Sequence, residues 1–586
     1  MIMMSALRAR VTLAALSLTC LGAFCALPSQ ASAAEGSANL SIVRPTGACG
    51  DLAKTDLAAI GGAGSHVASA TEKTGVQGQL VCSVEGVLAP SISFRVELPV
   101  QTWTQRYLQT GCGGLCGNLS LQIGAADGCP TVQAAGFVVA STDMGHQGMG
   151  GEFGGDPQKR ADFAYRGVHL TAVAAKVLIR AYYGQTQRYA YFSGCSDGGR
   201  EALVEAQRFP QDFDGIVAGA PAMNFQVQNS LFHGWQAVSN TGSDGKAILL
   251  APRLPILHRA VMKACDGLDG QVDGLISTPA ACHFDPMTLV CKPGQAAATC
   301  LTMAEATVVR RFYEGPRDPV TGERLTQGGP QYGSELAWAG VYVPFAGQPI
   351  FSERIALDAM PNLIFERDGP TRLADLHFDR ATFERLRARH ALFDATNPDL
   401  SGFQGRGGKL VLFHGWADPH ISPINTIAYH DAVRRQMGAA TAQGFERLYL
   451  MPGMYHCSGG EGPSRFDLLT PLMAWVEHGE APEAIVTHQA APRAHSDFGQ
   501  PGAGPRAAGA GAGVPPSGAA PPQEMDLQGN ASARSRPVYP YPYIAAYSGK
   551  GDPNQATSYV RGPAKPAPTP TWLGSDFYQP YDNLTL

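Results

Sequence analysis

Charge is scarce in this chain. Only 16% of its 586 residues are Asp, Glu, Lys or Arg, and their formal balance is −5. There is no long basic run, so the electrostatic footprint of a nucleic-acid or acidic-membrane binder is missing. Beyond the N-terminus no segment reaches the roughly 18 continuous apolar residues of a membrane-spanning helix. No C-x-x-C pair and no His-rich partner set accompany the cysteines, which argues against zinc. What is present is a globular composition, 44% hydrophobic and rich in Gly and Pro. The length exceeds one simple core and allows roughly two to four structural units. Such a chain suits neutral or weakly charged small molecules as partners.

The N-terminus reads as an export signal over residues 1–33. Arg8 and Arg10 precede an apolar stretch from Val11 to Leu27, and Ala31-Ser32-Ala33 offers small residues for cleavage. An N-terminal anchor helix is the alternative. The residues before Cys20 and Cys25 fit a lipidation site poorly. The mature protein is therefore expected to be secreted or periplasmic, with no membrane contact after cleavage. Eleven of the thirteen cysteines would remain, and in an oxidising compartment most should pair. An odd number leaves at least one over.

Strand and helix patterns alternate from Leu80 onward. Ile92–Leu98, Arg106–Gln109 and Gly136–Ala140 read as strands, and His169–Tyr183 as a helix with one apolar face. A strand at 189–192, a helix at 200–208 and a strand at 215–219 follow. This predicts an α/β fold with a mainly parallel sheet. The rhythm stops after Pro221 and returns at 408–413 and 446–451. One α/β domain (34–222 and 397–586) interrupted by an insertion at 223–396 accounts for this. Residues 501–522 are low-complexity Gly/Ala/Pro and cannot bury a core.

The stretch Gly194-Cys195-Ser196-Asp197-Gly198 is G-x-S-x-G between a strand and a helix. Alone the pattern is weak, but that context lifts a serine clear of the sheet. A serine nucleophile needs a base, and the base an orienting carboxylate, in the chain order Ser, acid, His. The returning strands offer Asp418 and then His456. His414, His420 and Asp143 compete for these roles, and a turn-capping carboxylate is the plain reading of Asp418. Cys195 precedes the serine and Cys457 follows the histidine. If Ser196 and His456 meet, their neighbours fall within disulfide range. Such a bridge would stabilise by roughly 4–5 kcal/mol and hold the base in place; two unpaired core thiols are the alternative.

The motifs GCSDGG, HGWADPHISP and MYHCSGG resemble the tannase/feruloyl esterase family, which also includes a hydrolase of mono(2-hydroxyethyl) terephthalate. The resemblance extends from about residue 45 to 560. It implies an α/β-hydrolase fold with a large inserted lid, Ser196 as nucleophile, His456 as base, Asp418 as orienting acid, and the 195–457 disulfide. It places the oxyanion donors at Asp197 and in the loop TGCGGLCGN, residues 110–118, with Cys112 best matching the second position. Cys112, Cys116 and Cys129 are then three local cysteines, of which two should pair.

The segment CDGLDGQVDGLIS, residues 265–277, clusters acidic residues with glycines. Chemically it is either a solvated turn or a hard-cation site, without EF-hand spacing. The resemblance favours one structural calcium, held by Asp266, Asp269 and Asp273 with backbone oxygens of Gln271 and Leu275. It also implies disulfides 265–282, 291–300 and 49–82, with Cys49, Cys82, Cys265, Cys282, Cys291 and Cys300 paired.

The expected function is an exported serine esterase acting on small-molecule esters of aromatic acids such as gallate or ferulate. The insertion would supply the acyl pocket, with Tyr332–Phe345 as candidate lining or as plain lid packing. A terephthalate monoester would need a basic partner, for which Arg354 and Arg367 are available. A peptidase on the same fold and a catalytically silent binding protein are the other classes.

Overall fold

The computed structural model describes residues 36–489 and 534–585. The expected signal segment and the low-complexity stretch 501–522 lie outside them. At the centre is a nine-stranded sheet in the order β1-β2-β3-β5-β4-β6-β7-β8-β9. The strands are β1 His66–Thr74, β2 Leu80–Leu88, β3 Ile92–Pro99, β4 Arg106–Thr110, β5 Phe137–Thr142, β6 Tyr189–Cys195, β7 Gly215–Gly219, β8 Lys409–Gly415 and β9 Glu446–Met451. From β5 to β9 every pairing is parallel. The β1–β2, β2–β3 and β3–β5 pairings are antiparallel. The sheet is thus mixed, parallel where the G-x-S-x-G turn lies. Strand β1 escaped the sequence reading because it is a polar edge strand with little buried surface.

Both faces of the parallel part are covered, so its strands are continuous apolar runs. On β7 and β8, Ile216, Ala218, Leu410 and Leu412 enter one core, while Val217, Val411 and Phe413 enter another. The first core includes residues of α1 (Gly167–Tyr183) and α2 (Asp197–Arg208). The second includes Leu469, Leu472 and Trp475 of a C-terminal helix, Leu469–His478. The buried Arg106 guanidinium ties β4 to that helix through Glu477, with Nε–Oε1 and Nη2–Oε2 both 2.7 Å.

Between Gly219 and Lys409 the chain adds no strand to this sheet. Part of the stretch has a core of its own, spanning Leu249 to Val343 and including residues of α3 (Leu254–Cys265) and α4 (Met303–Glu314). Helix α4 begins with a capping box, Thr302 and Glu305 each bonding the other's backbone N–H. The flanks of the stretch, Met223–Leu231 and Ile355–Phe403, contribute to the first core of the main sheet instead. The insertion is thereby anchored at both ends while its middle packs separately.

Candidate active site

Strand β6 runs into Ser196, which has φ 66° and ψ −121°. A non-glycine residue rarely adopts a positive φ, and at this turn it aims the side chain away from the sheet. Helix α2 starts at Asp197, three residues earlier than the sequence pattern suggested. One strained residue makes the whole turn, so the glycines after it are already helical. Their role is close approach. A Cβ on Gly194 would lie 2.3 Å from the Gly198 carbonyl oxygen, and one on Gly198 would lie 2.8 Å from the Gly111 backbone. The N–H groups of the first helical turn lack helical acceptors, so the α2 N-terminus is a ready anion cradle beside the serine.

Asp418 follows β8 and His456 follows β9. His456 Nδ1 lies 2.7 Å from Asp418 Oδ2. The other carboxylate oxygen accepts from the His420 N–H at 2.8 Å and the Ile421 N–H at 3.0 Å. His414 reaches the same Asp418 Oδ2 at 3.1 Å through Nε2, which also lies 3.0 Å from the Ile421 carbonyl. Burial alone would raise the Asp418 pKa. The charge of His456 and the hydrogen bonds from His414 and His456 outweigh it, holding the carboxyl well below the usual range. Asp418 is therefore an ionised, fully oriented carboxylate. Sequence order alone had His414 only as a competitor of His456, not as a second partner of the acid.

Ser196 and His456 line one cavity of about 30 Å³. The core adds Gly114, Asp197, Ala222, His420 and Ile421 to its wall, and the insertion adds Phe225, Gln228, Asn229, His233, Phe351 and Ile355. The His420 ring is centred 4.8 Å from that of His456. Arg354 and Arg367 are exposed and absent from the wall. Trp338 and Tyr342 are fully buried in the insertion's own core, with Trp338 Nε1 donating to Ser334 Oγ at 3.0 Å. The segment 332–345 is thus packing rather than lining. The short helix α5, Phe351–Ala359, carries the apolar wall in its place. Asp143 is engaged elsewhere, accepting from the Ser93 and Gly145 N–H groups at 2.9 Å each.

Cys195 and Cys457 form a disulfide, as do 49–82, 265–282 and 291–300. Of the three local cysteines, 112 and 116 pair and Cys129 is a buried free thiol. The Cys112 N–H, expected as the second oxyanion donor, instead points at Glu201 Oε1, 3.4 Å away. The residue of that loop on the cavity wall is Gly114. The physical reason is the Glu201 carboxyl, which takes the Cys112 N–H from a place 89 residues further along the chain.

In the acidic loop, Asp266 accepts from the Asp273 and Gly274 N–H groups, and Asp269 from those of Gln271 and Ser277. Asp273 Oδ2 lies 2.7 Å from Arg536 Nη2. Burial raises the pKa of Asp266 and of Asp269, and the nearby Asp273 charge adds to it. The donor set suits a hard cation in kind. As arranged, however, the three carboxylates do not each bring an oxygen within 4.8 Å of the other two. A wider cavity of about 270 Å³ borders this loop, walled also by Trp416, Tyr539 and Tyr541, and does not include Ser196.

Residues 74–562 match the family of tannase and feruloyl esterase. The chain belongs to this family. It is 31% identical over 549 residues to mono(2-hydroxyethyl) terephthalate hydrolase of Piscinibacter sakaiensis, covering 82% of this chain and 84% of that protein. It is 33% identical over 425 residues to the probable feruloyl esterase B-2 of Aspergillus flavus, covering 67% and 76%. The crystal structure of feruloyl esterase B from Aspergillus oryzae superposes with a TM-score of 0.71 at 25% identity, covering 88% of this chain and all of that one. The fold is accordingly that of an α/β-hydrolase, and the protein is a carboxylic ester hydrolase of the feruloyl esterase and tannase type. No helix among the described residues is long and apolar enough to cross a membrane.

Proposed function

We propose that this protein is an exported serine esterase that cleaves esters of neutral aromatic acids through an acyl-enzyme. The observation that carries the reading is the 2.7 Å contact of His456 Nδ1 with a buried, ionised Asp418, in a cavity shared with Ser196. With Nδ1–H donating to Asp418, Nε2 is the nitrogen that takes the Ser196 proton. Ser196 Oγ then attacks the ester carbonyl, and the oxyanion is received by the Asp197 N–H and by the loop at Gly114. The protonated His456 gives its proton to the leaving alcohol. Water, deprotonated by the same nitrogen, releases the acid and restores the serine.

The cavity wall carries aromatic, amide and imidazole groups but, among the described residues, no Lys or Arg. That favours a phenolic or cinnamic acyl group over one bearing a free carboxylate. Its volume is too small for an aromatic ring, since benzene occupies an engineered cavity of ~150 Å³. The insertion therefore acts as a lid, and Phe351 and Ile355 of α5 must give way for substrate.

The acidic loop is the proposed seat of one structural calcium ion. Asp266, Asp269 and Asp273 would hold it with the carbonyl oxygens of Gln271 and Leu275. The five disulfides and the N-terminal signal pattern support export.

The test is hydrolysis of methyl ferulate, methyl gallate, a terephthalate monoester and a short p-nitrophenyl ester by mature protein, beside Ser196→Ala. The expected result is preference for a neutral aromatic ester, abolished in Ser196→Ala. Preference for the terephthalate monoester would reject the neutral-acyl reading, and activity in Ser196→Ala would reject the nucleophile.

A further inference from the structure

Glu201 lies one helical turn beyond Asp197, so the two side chains share a face of α2. Each is 1% exposed. Glu201 Oε1 accepts the Cys112 N–H at 3.4 Å and rests 2.7 Å and 3.2 Å from the Cys112 and Cys116 sulfurs. Disulfide sulfurs carry no hydrogen, so neither of these two is a hydrogen bond. Cys116 Sγ is in turn 3.4 Å from Asp197 Oδ2. The cation beside these two carboxyls is Arg200, itself fully buried. Its fork is taken by Asp197, with Nε–Oδ1 2.7 Å and Nη2–Oδ2 3.0 Å, and by the Phe163 and Ala164 carbonyls.

We propose that Glu201, as a neutral carboxylic acid, is a positioning residue that fastens the oxyanion loop to the nucleophile helix. Its carbonyl oxygen accepts the Cys112 N–H, and its hydroxyl donates to the Asp197 carboxylate. One side chain thereby sets the distance between the two strands of chain that flank the oxyanion, at Asp197 and at Gly114. The inference rests on the roles given above to Ser196 and Asp197.

Three features require the proton. Glu201 faces one carboxylate and two sulfurs, and Arg200, though its charge acts on Glu201 too, gives its hydrogen bonds to Asp197 and to backbone carbonyls. Its Oε2 is buried with no donor aimed at it, while the Glu201 and Asp197 carboxyls lie within hydrogen-bonding reach of each other; two carboxylates can only accept, so a bond between them needs a proton on one. Burial first, and then the Asp197 charge, push the Glu201 pKa well above the ordinary range.

The experiment compares wild type, E201Q, E201A and S196A. Infrared difference spectroscopy should show a protonated-carboxyl stretch at pH 8 in wild type that E201Q removes. E201Q keeps both hydrogen bonds, its amide donating to Asp197, and should hold kcat within about threefold. E201A should lower kcat about 10- to 100-fold with little change in KM, and weaken inhibition by phenylboronic acid, which forms a tetrahedral adduct on the serine, by the same factor. A merely structural residue would lower thermal stability without that matched pair. Absence of the infrared band, an E201Q enzyme as impaired as E201A, or a folded E201A with normal kcat would each overturn the proposal. If E201A does not fold, the wild-type band and the E201Q rate decide it. Activity in S196A would instead sink the underlying serine reading.

Discussion

Cys195 and Cys457 are separated by 262 residues in sequence, and their Cα atoms lie 5.9 Å apart in the fold. Each adjoins a residue of the proposed triad, so the bridge fixes the spacing of nucleophile and base from the backbone. Replacing both by Ser should lower kcat at least about tenfold, because a base displaced by about an ångström loses its geometry. It should also lower the melting temperature, given the long loop it closes. Assay below the melting point separates the two effects. Unchanged kcat in the folded double variant would confine the bridge to stability.

Asp418 has two imidazole partners, and they should differ in weight. Asp418→Asn should cost about 10³- to 10⁴-fold in kcat by destroying the His456 tautomer. His414→Phe removes only one of the hydrogen bonds to Asp418 Oδ2. It should cost about tenfold in kcat and about 1–3 kcal/mol in stability. Steady-state kinetics and thermal melts of the two variants check the order. Equal losses would mean that His414 is as much part of the triad as His456.

If the acidic loop holds calcium, chelation should lower the melting temperature and leave the folded enzyme's kcat unchanged, because the loop lies off the wall around Ser196. Asp269→Asn should reproduce the shift and abolish the response to added calcium. A melting curve indifferent to chelator, with no calcium by elemental analysis, would reduce the segment to an acidic turn.

His146 should make stability fall in mild acid. Its Nε2 lies 2.8 Å from the Leu115 carbonyl and its ring stacks on Phe153 at 3.6 Å. Burial lowers its pKa to about 4. Above about pH 6.5 the ring is neutral folded and unfolded, and the contribution is complete. As pH falls toward 4 the unfolded chain gains a proton that the folded one refuses, so stability is lost, by up to ~3 kcal/mol. Denaturant melts from pH 7 to 4 should show a shallower fall in His146→Gln.

The thiol count tests export directly. Cys129 is the one free cysteine among the described residues, and burial raises its pKa. Native protein should resist a thiol reagent. Denatured, unreduced protein should expose one thiol if the leader has been removed, and any thiol beyond one would show that Cys20 or Cys25 remains.

The central strands and the order of the proposed site were legible because their signals are local. Apolar runs end in glycine turns, and Ser196, Asp418 and His456 each follow such a run, aromatic in β6 and leucine-bearing in β8 and β9. The polar edge strand β1 had no apolar alternation to reveal it. The pocket wall was left undecided for a related reason. An aromatic cluster such as Trp338 and Tyr342 looks the same in sequence whether it packs a core or meets a ligand. The direction of the Cys112 N–H depends on a disulfide and on a carboxyl 89 residues away, which no window of sequence contains.

The interruption between β7 and β8 also dictates when the enzyme can exist. Strand β7 ends at Gly219, and the next strand of the sheet begins at Lys409. Until the ribosome has finished the whole intervening stretch, the half that carries Ser196 has no partner strand on that side and lacks Asp418 and His456. A chain truncated before β8 is therefore expected to be inert, and the 195–457 bridge can close only once residue 457 has been made. Activity is withheld by the order of translation itself, so a cell making this hydrolase is spared its chemistry until the strands after the insertion have been made.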